Sequence, residues 1–302
     1  MTSTPRVASQ LVYAALMVVA VCAIATAAIW VRFAGETSPA FLVVGRTLLS
    51  GLLLLPWLVR APLSRAERRL ATGAGIFLGL HFFLWFASLS RTTVAASTML
   101  VCTTPLWLAL VDASRGRRPS GVMWVALSLA LGGVALIGGG DSRTEHGLLG
   151  DALALAGALA VAGYFLCNRR ARADSTAPLL PYVCAVNLIA AAALTPVVAA
   201  QAMSGNLQVS STALLAIVGL ALAPQMIGHN LLVWALRDRG PTAVTLVVLG
   251  EPVFAAVLAY AFWRETPVAA TILGCGLILP AVALALVARP EQSMVEAAAA
   301  SP

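Results

Sequence analysis

The sequence predicts an all-α integral membrane protein, with ten transmembrane helices arranged as two inverted five-helix repeats. Three observations carry this expectation: the hydropathy of the chain, the placement of its arginines, and an internal repeat. Of 302 residues, 60% are hydrophobic and only 10% charged, with a mean hydropathy of +0.92. A soluble domain carries about 25% charged residues, so a chain this apolar calls for lipid as its solvent.

A spanning helix takes about 20 mostly apolar residues. Ten such runs follow one another, at 11–31, 39–59, 71–90, 92–112, 121–140, 147–168, 176–201, 212–236, 241–263 and 266–288. The links are too short to hold a separate soluble domain. The motif AIATAA at 23–28 resembles a signal-peptide cleavage site, but cleavage there would leave nine helices and break the repeat. The first run is therefore read as a retained span.

All 19 basic residues are arginine. Arg6 precedes the first run, and Arg60, Arg65, Arg68 and Arg69 follow the second. Arg115, Arg117 and Arg118 follow the fourth; Arg169, Arg170 and Arg172 follow the sixth. Arg237 and Arg239 follow the eighth, and Arg289 the tenth. The alternate links hold one arginine each, Arg32, Arg91, Arg143 and Arg264, and Arg46 lies inside the second run. This alternation supports ten spans and, by the positive-inside rule, puts both termini in the cytoplasm, as in a bacterial inner (cell) membrane protein. The net charge of +7 is thus a sign of membrane orientation, and no nucleic-acid partner is expected. Five cysteines all fall inside the runs without metal-ligand spacing, so no metal or other cofactor is expected.

The repeat appears when the third and eighth runs are aligned. HFFLWFASLSR (81–91) lies over HNLLVWALRDR (229–239), pairing His81 with His229, Leu84 with Leu232, Ala87 with Ala235 and Arg91 with Arg239. After a one-residue gap, STMLVCTTPLW (97–107) lies over VTLVVLGEPVF (244–254), pairing Thr98 with Thr245 and Pro105 with Pro252. Each half holds an odd number of helices, so the second half enters the membrane from the opposite side. Such inverted repeats put a substrate site near the midplane between the halves.

SPAFLVVGRTLLSGLLLL (38–55), ASLSRTTVAASTMLVCTTPLWLAL (87–110) and GEPVFAAVLAYAFWRETPVAATILGCGLILPAVAL (250–284) carry a family likeness. Through them the chain resembles the drug/metabolite transporter superfamily, specifically its EamA-type ten-helix exporters, and is similar to bacterial amino-acid exporters. The likeness covers about residues 11–288 and divides the chain into a first EamA-like repeat (1–140), a second (141–290) and a cytoplasmic tail (291–302) expected to be disordered. It implies export of small metabolites through a cavity lined by the first, third, fourth, sixth, eighth and ninth helices. One departure stands out. Where the family often closes its fourth helix on Gly-Glu, residues 114–121 read SRGRRPSG, with no acid.

Taken in chain order, the candidate site residues begin with Arg46, the one intramembrane cation and a possible charge partner for Glu251. In the third run His81 and Trp85 share a helical face, and Gly75 and Gly79 form a G-x-x-x-G that allows close helix packing within a monomer or a homodimer. In the fourth, Pro105 strips the Val101 carbonyl of its helical donor, making a kink or hinge beside Trp107. In the sixth, Tyr164 and Asn168 share a face, and Ala154 and Ala158 make a second small-residue pair. In the eighth, Gln225 and His229 share a face and make the polar stripe, with Gly228 and Pro224, a further hinge or kink, beside them.

In the ninth, Pro252 repeats the kink of Pro105 and frees the Val248 carbonyl. Beside it stands Glu251, the one acid well inside a run, where a charge costs about 2.5–3.5 kcal/mol. Its repeat counterpart is Thr104, so architecture alone does not require an acid there. Glu251 is expected to carry a proton, to bind a substrate ammonium, or to pair with Arg46. His81, Trp85, Trp107, Tyr164, Asn168, Gln225 and His229 are the expected cavity wall for an amphiphilic substrate, with core packing as the alternative for each.

The function expected is export of small amphiphilic metabolites, amino acids with aromatic or other apolar side chains foremost, by a secondary transporter that is not an enzyme. Its partners would be substrate, membrane lipid and, for a coupled carrier, protons. Transport of lipid-linked or nucleotide-linked sugar would ask for more arginines to hold phosphate, and a facilitator would dispense with ion coupling. A membrane enzyme would need a nucleophile or metal cluster, and a sensor would need a soluble output domain; the sequence has no such pattern.

Overall fold

The computed structural model describes residues 4–89, 91–92, 94–116, 119–138, 147–173, 178–263, 266 and 269–287. The expected tail at 291–302, together with Arg143, Arg264 and Arg289, lies outside the described residues. The described secondary structure is helical throughout. α1 (Thr4–Ala25) and α2 (Ala27–Phe33) are joined at Thr26, whose hydroxyl donates to the Ala23 carbonyl at 2.7 Å. α3 spans Pro39–Arg60, with proline in its first turn where the missing N–H does no harm.

α4 (Arg65–Leu89) starts a turn and a half before the apolar run because a capping box extends it. Ser64 N–H donates to Glu67 at 2.6 Å, and Glu67 N–H donates to the Ser64 hydroxyl at 3.2 Å. The fourth run is broken into α5 (Val94–Val101) and α6 (Thr104–Ser114). α7 (Gly121–Gly138), α8 (Gly147–Ala173) and α9 (Leu179–Met203) follow.

The eighth run is not one α-helix. α10 (Ala213–Leu220) widens into a π-helical stretch at Ala221–His229, then returns to α11 (Asn230–Ala235). Pro224 lies inside that stretch, where it cannot donate to the ladder, and π turns absorb such a defect. The ninth run is broken like the fourth, into α12 (Pro241–Val248) and α13 (Glu251–Trp263). α14 is Ala269–Val287.

Among the described residues, seven helical segments are long and apolar enough to cross a membrane: 10–33, 39–60, 65–89, 148–173, 179–203, 213–235 and 269–286. Shorter apolar helices at 121–137 and 241–254 accompany them. This is a multi-pass membrane protein. Its outer surface carries large apolar side chains such as Leu52, Leu215, Ile272 and Leu273, as a lipid-facing surface does.

Small residues set the close crossings. A Cβ added at Gly75 would come within 2.7 Å of the Val186 carbonyl oxygen on α9, and one at Gly79 within 3.1 Å of the Ala190 carbonyl. The G-x-x-x-G of α4 therefore packs inside one chain, not against a second copy. Ala154 and Ala158 on α8 are likewise fully buried. At the crossing of α7 and α14, a Cβ on either Gly133 or Gly274 would stand 2.5 Å from the other's carbonyl oxygen.

Polar ties hold the helix ends. Thr37 donates to Ser210 at 3.0 Å and Ser38 to Gln201 at 2.6 Å, joining the link after α2 to the last turn of α9 and the link that follows it. At the other end, fully buried Asp112 on α6 accepts from Arg169 on α8 at 3.0 Å and from Thr242 on α12 at 3.4 Å. Overpacking a helix crossing costs about 1–3 kcal/mol. Gly75→Ala is expected to destabilise the protein by that amount, because the obstacle is backbone and cannot step aside. Thermal or SDS unfolding of purified protein against wild type measures it.

Candidate functional site

One cavity lies where the broken helices meet α3, α4 and the π-helical stretch. It takes in about 730 Å³ of non-atom space, counted out through its mouth. Its walls are built twice from equivalent positions. Thr98 and Thr245 line it, as do Val101 and Val248, Cys102 and Leu249, and Thr104 and Glu251. Each pair is separated by the same step along the chain as Pro105 and Pro252. His81 and His229, the pair from the third and eighth runs, line it too.

The two breaks have the same cause and different chemistry. Pro105 sits in the first turn of α6 and cannot donate to the Val101 carbonyl. The Thr104 hydroxyl donates to that carbonyl instead, at 2.7 Å, and the Thr103 hydroxyl serves Leu100 at 2.6 Å. In the second half Glu251 stands where Thr104 stands in the first, so there is no hydroxyl to serve Val248. Glu251 occupies the first turn of α13, where the helix dipole favours an anion. Half-buried in the cavity wall, its carboxylate makes no hydrogen bond or ion pair with any described side chain.

The other charged group of the wall is Arg46, which is completely buried on α3. Its Nη2 donates to Gln225 Oε1 at 2.9 Å, and its guanidinium carbon lies 4.0 Å above the Phe82 ring centre. The Arg46–Glu251 pair that the sequence suggested is not formed: both groups line one cavity, but the arginine's partners are an amide oxygen and an aromatic face. The π-helical stretch is what turns Gln225 toward α3. Arg46 Nε and Nη1 have no hydrogen-bond partner, nor do Trp85 Nε1 and His229 Nδ1.

His81 Nδ1 meets the Gly157 carbonyl at 2.9 Å, so that nitrogen carries the proton and the ring is held in one tautomer. Its ring stacks on Trp85, with 6.1 Å between centroids and 10° between planes. Phe82 stands between the histidines, 5.0 Å from His81 and edge-on to His229 at 5.2 Å.

Of the seven expected wall residues, His81, Trp85 and His229 line the cavity, together with Arg46, Pro105, Pro224 and Glu251. Four other expected wall residues stand elsewhere. Tyr164 is packed behind the wall, edge-on to His229 at 6.3 Å. Asn168 turns back along α8 to donate to the Tyr164 carbonyl at 2.8 Å. Gln225 is the support of Arg46, and Trp107 is tethered by its indole N–H to the Thr103 hydroxyl at 3.0 Å. Pro252 begins α13 beside Glu251 without lining the described wall.

Reasoning from sequence passed over Phe82, Thr98, Cys102 and Thr245. The threonines were already paired in the repeat alignment, and that pairing was the available signal. Among the described residues, no three His, Cys, Asp or Glu side chains converge as metal ligands would.

A two-halved helical membrane protein with one polar-tipped cavity between the halves has the form of a carrier. The family model of the EamA-like transporter family matches residues 11–139 and again 148–287. The chain belongs to that family, whose members are transporters. No curated protein matches the chain. A solved structure, described only as a crystal structure of a protein, superposes with a TM-score of 0.74. It is 18% identical and covers 91% of this chain and 97% of its own, a likeness of fold.

Removing the support of Arg46 gives a direct check of its surroundings. Hydrogen bonds to buried charged groups contribute about 1.5–3 kcal/mol. Gln225→Leu is expected to lower stability by that amount, read from the unfolding midpoint in detergent. Thr104→Val, which bares the Val101 carbonyl, is expected to cost about 1 kcal/mol.

Proposed function

We propose that the protein exports small amphiphilic metabolites, foremost amino acids with aromatic or other apolar side chains, as a secondary transporter working by alternating access. The observation that carries this reading is the cavity walled by the same positions of both family repeats. A site shared in that way opens to one side or the other as the halves rock. The proposal takes the ten apolar runs as ten spans, with the fourth and ninth crossing as broken helices. It takes residues 1–140 and 141–290 as inverted halves, with both termini on the cytoplasmic side of a bacterial inner membrane.

The composition of the wall supports the substrate class. Phe82, Trp85 and Phe165 offer apolar and aromatic surface, and Arg46 and Glu251 are the charged groups of the wall. Glu251, unpaired in the wall, is the group that takes up a proton or a substrate ammonium in the transport cycle. Pro105 and Pro252 serve as the hinges, with Pro224 as a third flexible point. The close helix packing within one chain gives no reason to require a dimer.

Counterflow of labelled phenylalanine, tryptophan and leucine into proteoliposomes, with and without a pH gradient, tests the reading. Wild type is expected to exchange at least one of them and to concentrate it when the gradient is imposed. Glu251→Gln is expected to keep exchange and lose the concentrating step. Normal accumulation by the variant rules out Glu251 as the coupling group, and absence of any amino-acid flux in wild type rules out the substrate class.

A further inference from the structure

Among the described residues, Arg46 Nε and Nη1 and Trp85 Nε1 are hydrogen-bond donors with no acceptor, and His229 Nδ1, a donor in one tautomer and an acceptor in the other, is a fourth atom without a partner. They gather around one ring: Arg46 lies over the face of Phe82, His229 meets its edge, and Trp85 stacks on His81 beside it. Among the described residues, no hydrogen bond or ion pair joins Glu251 to this group.

A buried guanidinium with one amide bond and one aromatic face is under-satisfied, because a cation taken out of water needs an anion or a full set of acceptors. Its neighbour Trp85 adds a further donor where an acceptor would be expected if the role were structural.

We infer that Arg46, Trp85 and His229 form an anion subsite in the cavity wall, which receives the carboxylate of the substrate, with Glu251 outside that subsite. The inference deepens the transport reading and rests on it for the identity of the cargo. It gives Arg46 a binding role that charge pairing within the protein would have denied it. Phe82 and Gln225 are positioning residues: the ring and the amide hold the guanidinium so that two of its nitrogens stay available. An amphiphile bearing a carboxylate and an aromatic or branched body then meets donors at one end and apolar wall along its length.

Binding to purified protein in nanodiscs distinguishes the roles, using 3-phenylpropionate, phenylalanine and 2-phenylethylamine as matched probes. Wild type is expected to bind both carboxylates. Arg46→Gln is expected to weaken both by about tenfold or more, the loss of a charge-assisted bond, while leaving 2-phenylethylamine unchanged. Trp85→Phe removes only the indole N–H and keeps an aromatic ring, so it remains informative if Arg46→Gln fails to fold. It is expected to weaken the carboxylates several-fold and spare the amine.

Failure of wild type to bind 3-phenylpropionate overturns the subsite. So does an equal loss of all three probes in a folded variant, or unchanged carboxylate binding in Trp85→Phe when Arg46→Gln does not fold. If 3-phenylpropionate binds in an Arg46-dependent way while no amino acid is transported, the subsite stands and the amino-acid reading falls.

Discussion

A guanidinium buried in the membrane interior constrains much of this structure. Arg46 is withdrawn from solvent completely, yet no carboxylate among the described residues pairs with it. The surroundings that hold it are drawn from distant parts of the chain. Gln225 reaches it across 179 residues of sequence, from a helix that has left α geometry around Pro224. Phe82 comes from α4, packed closely on α9 through Gly75 and Gly79. Gly228 lets the π-helical stretch lie against α1, where a Cβ would stand 2.5 Å from Ile24. Remove any one of these approaches and the cation loses a support that nothing nearby replaces.

The second constraint is duplication with one chemical change. Both halves break a helix one step before a proline, and both breaks face the cavity. In the first half Thr104 repairs the break by donating to the exposed carbonyl. In the second, Glu251 has no hydroxyl to offer the equivalent carbonyl and stands as an acid at a helix N-terminus. The architecture is thus symmetric where it makes the wall and asymmetric where it supplies charge. Arg46 and Glu251 add two unlike charges to the wall of a duplicated apolar scaffold.

Much of this was legible from residues alone. Proline at 105 and 252 marks those runs for a kink, because the missing N–H is a property of the residue, although Pro56, Pro196 and Pro280 sit inside helices that stay continuous. The histidine pair and the threonine pair were visible through the repeat. Tyr164, Asn168 and Trp107 were misplaced for a different reason: spacing shows that residues share a face, and the rotation of the helix decides what that face meets. Asn168 also had a local alternative in the carbonyl four residues back, which short polar side chains often take. The Arg46–Gln225 bond could not be foreseen, because it depends on tertiary packing between α3 and a stretch whose π geometry has no periodic signature. Glu251 and Arg46 looked like a pair because opposite charges in lipid usually are one. Their separation is what the fold added.

Alternating access is the claim on which the functional account turns, and Thr98 is well placed to test it. Thr98→Cys, made in a chain whose five native cysteines are replaced, puts one thiol in the cavity wall. Membrane-impermeant thiol reagents would then be applied to oriented membranes from either side, with and without a substrate gradient. The account predicts labelling from both sides, with the favoured side changing as the gradient is reversed. Labelling from a single side under every condition would contradict it.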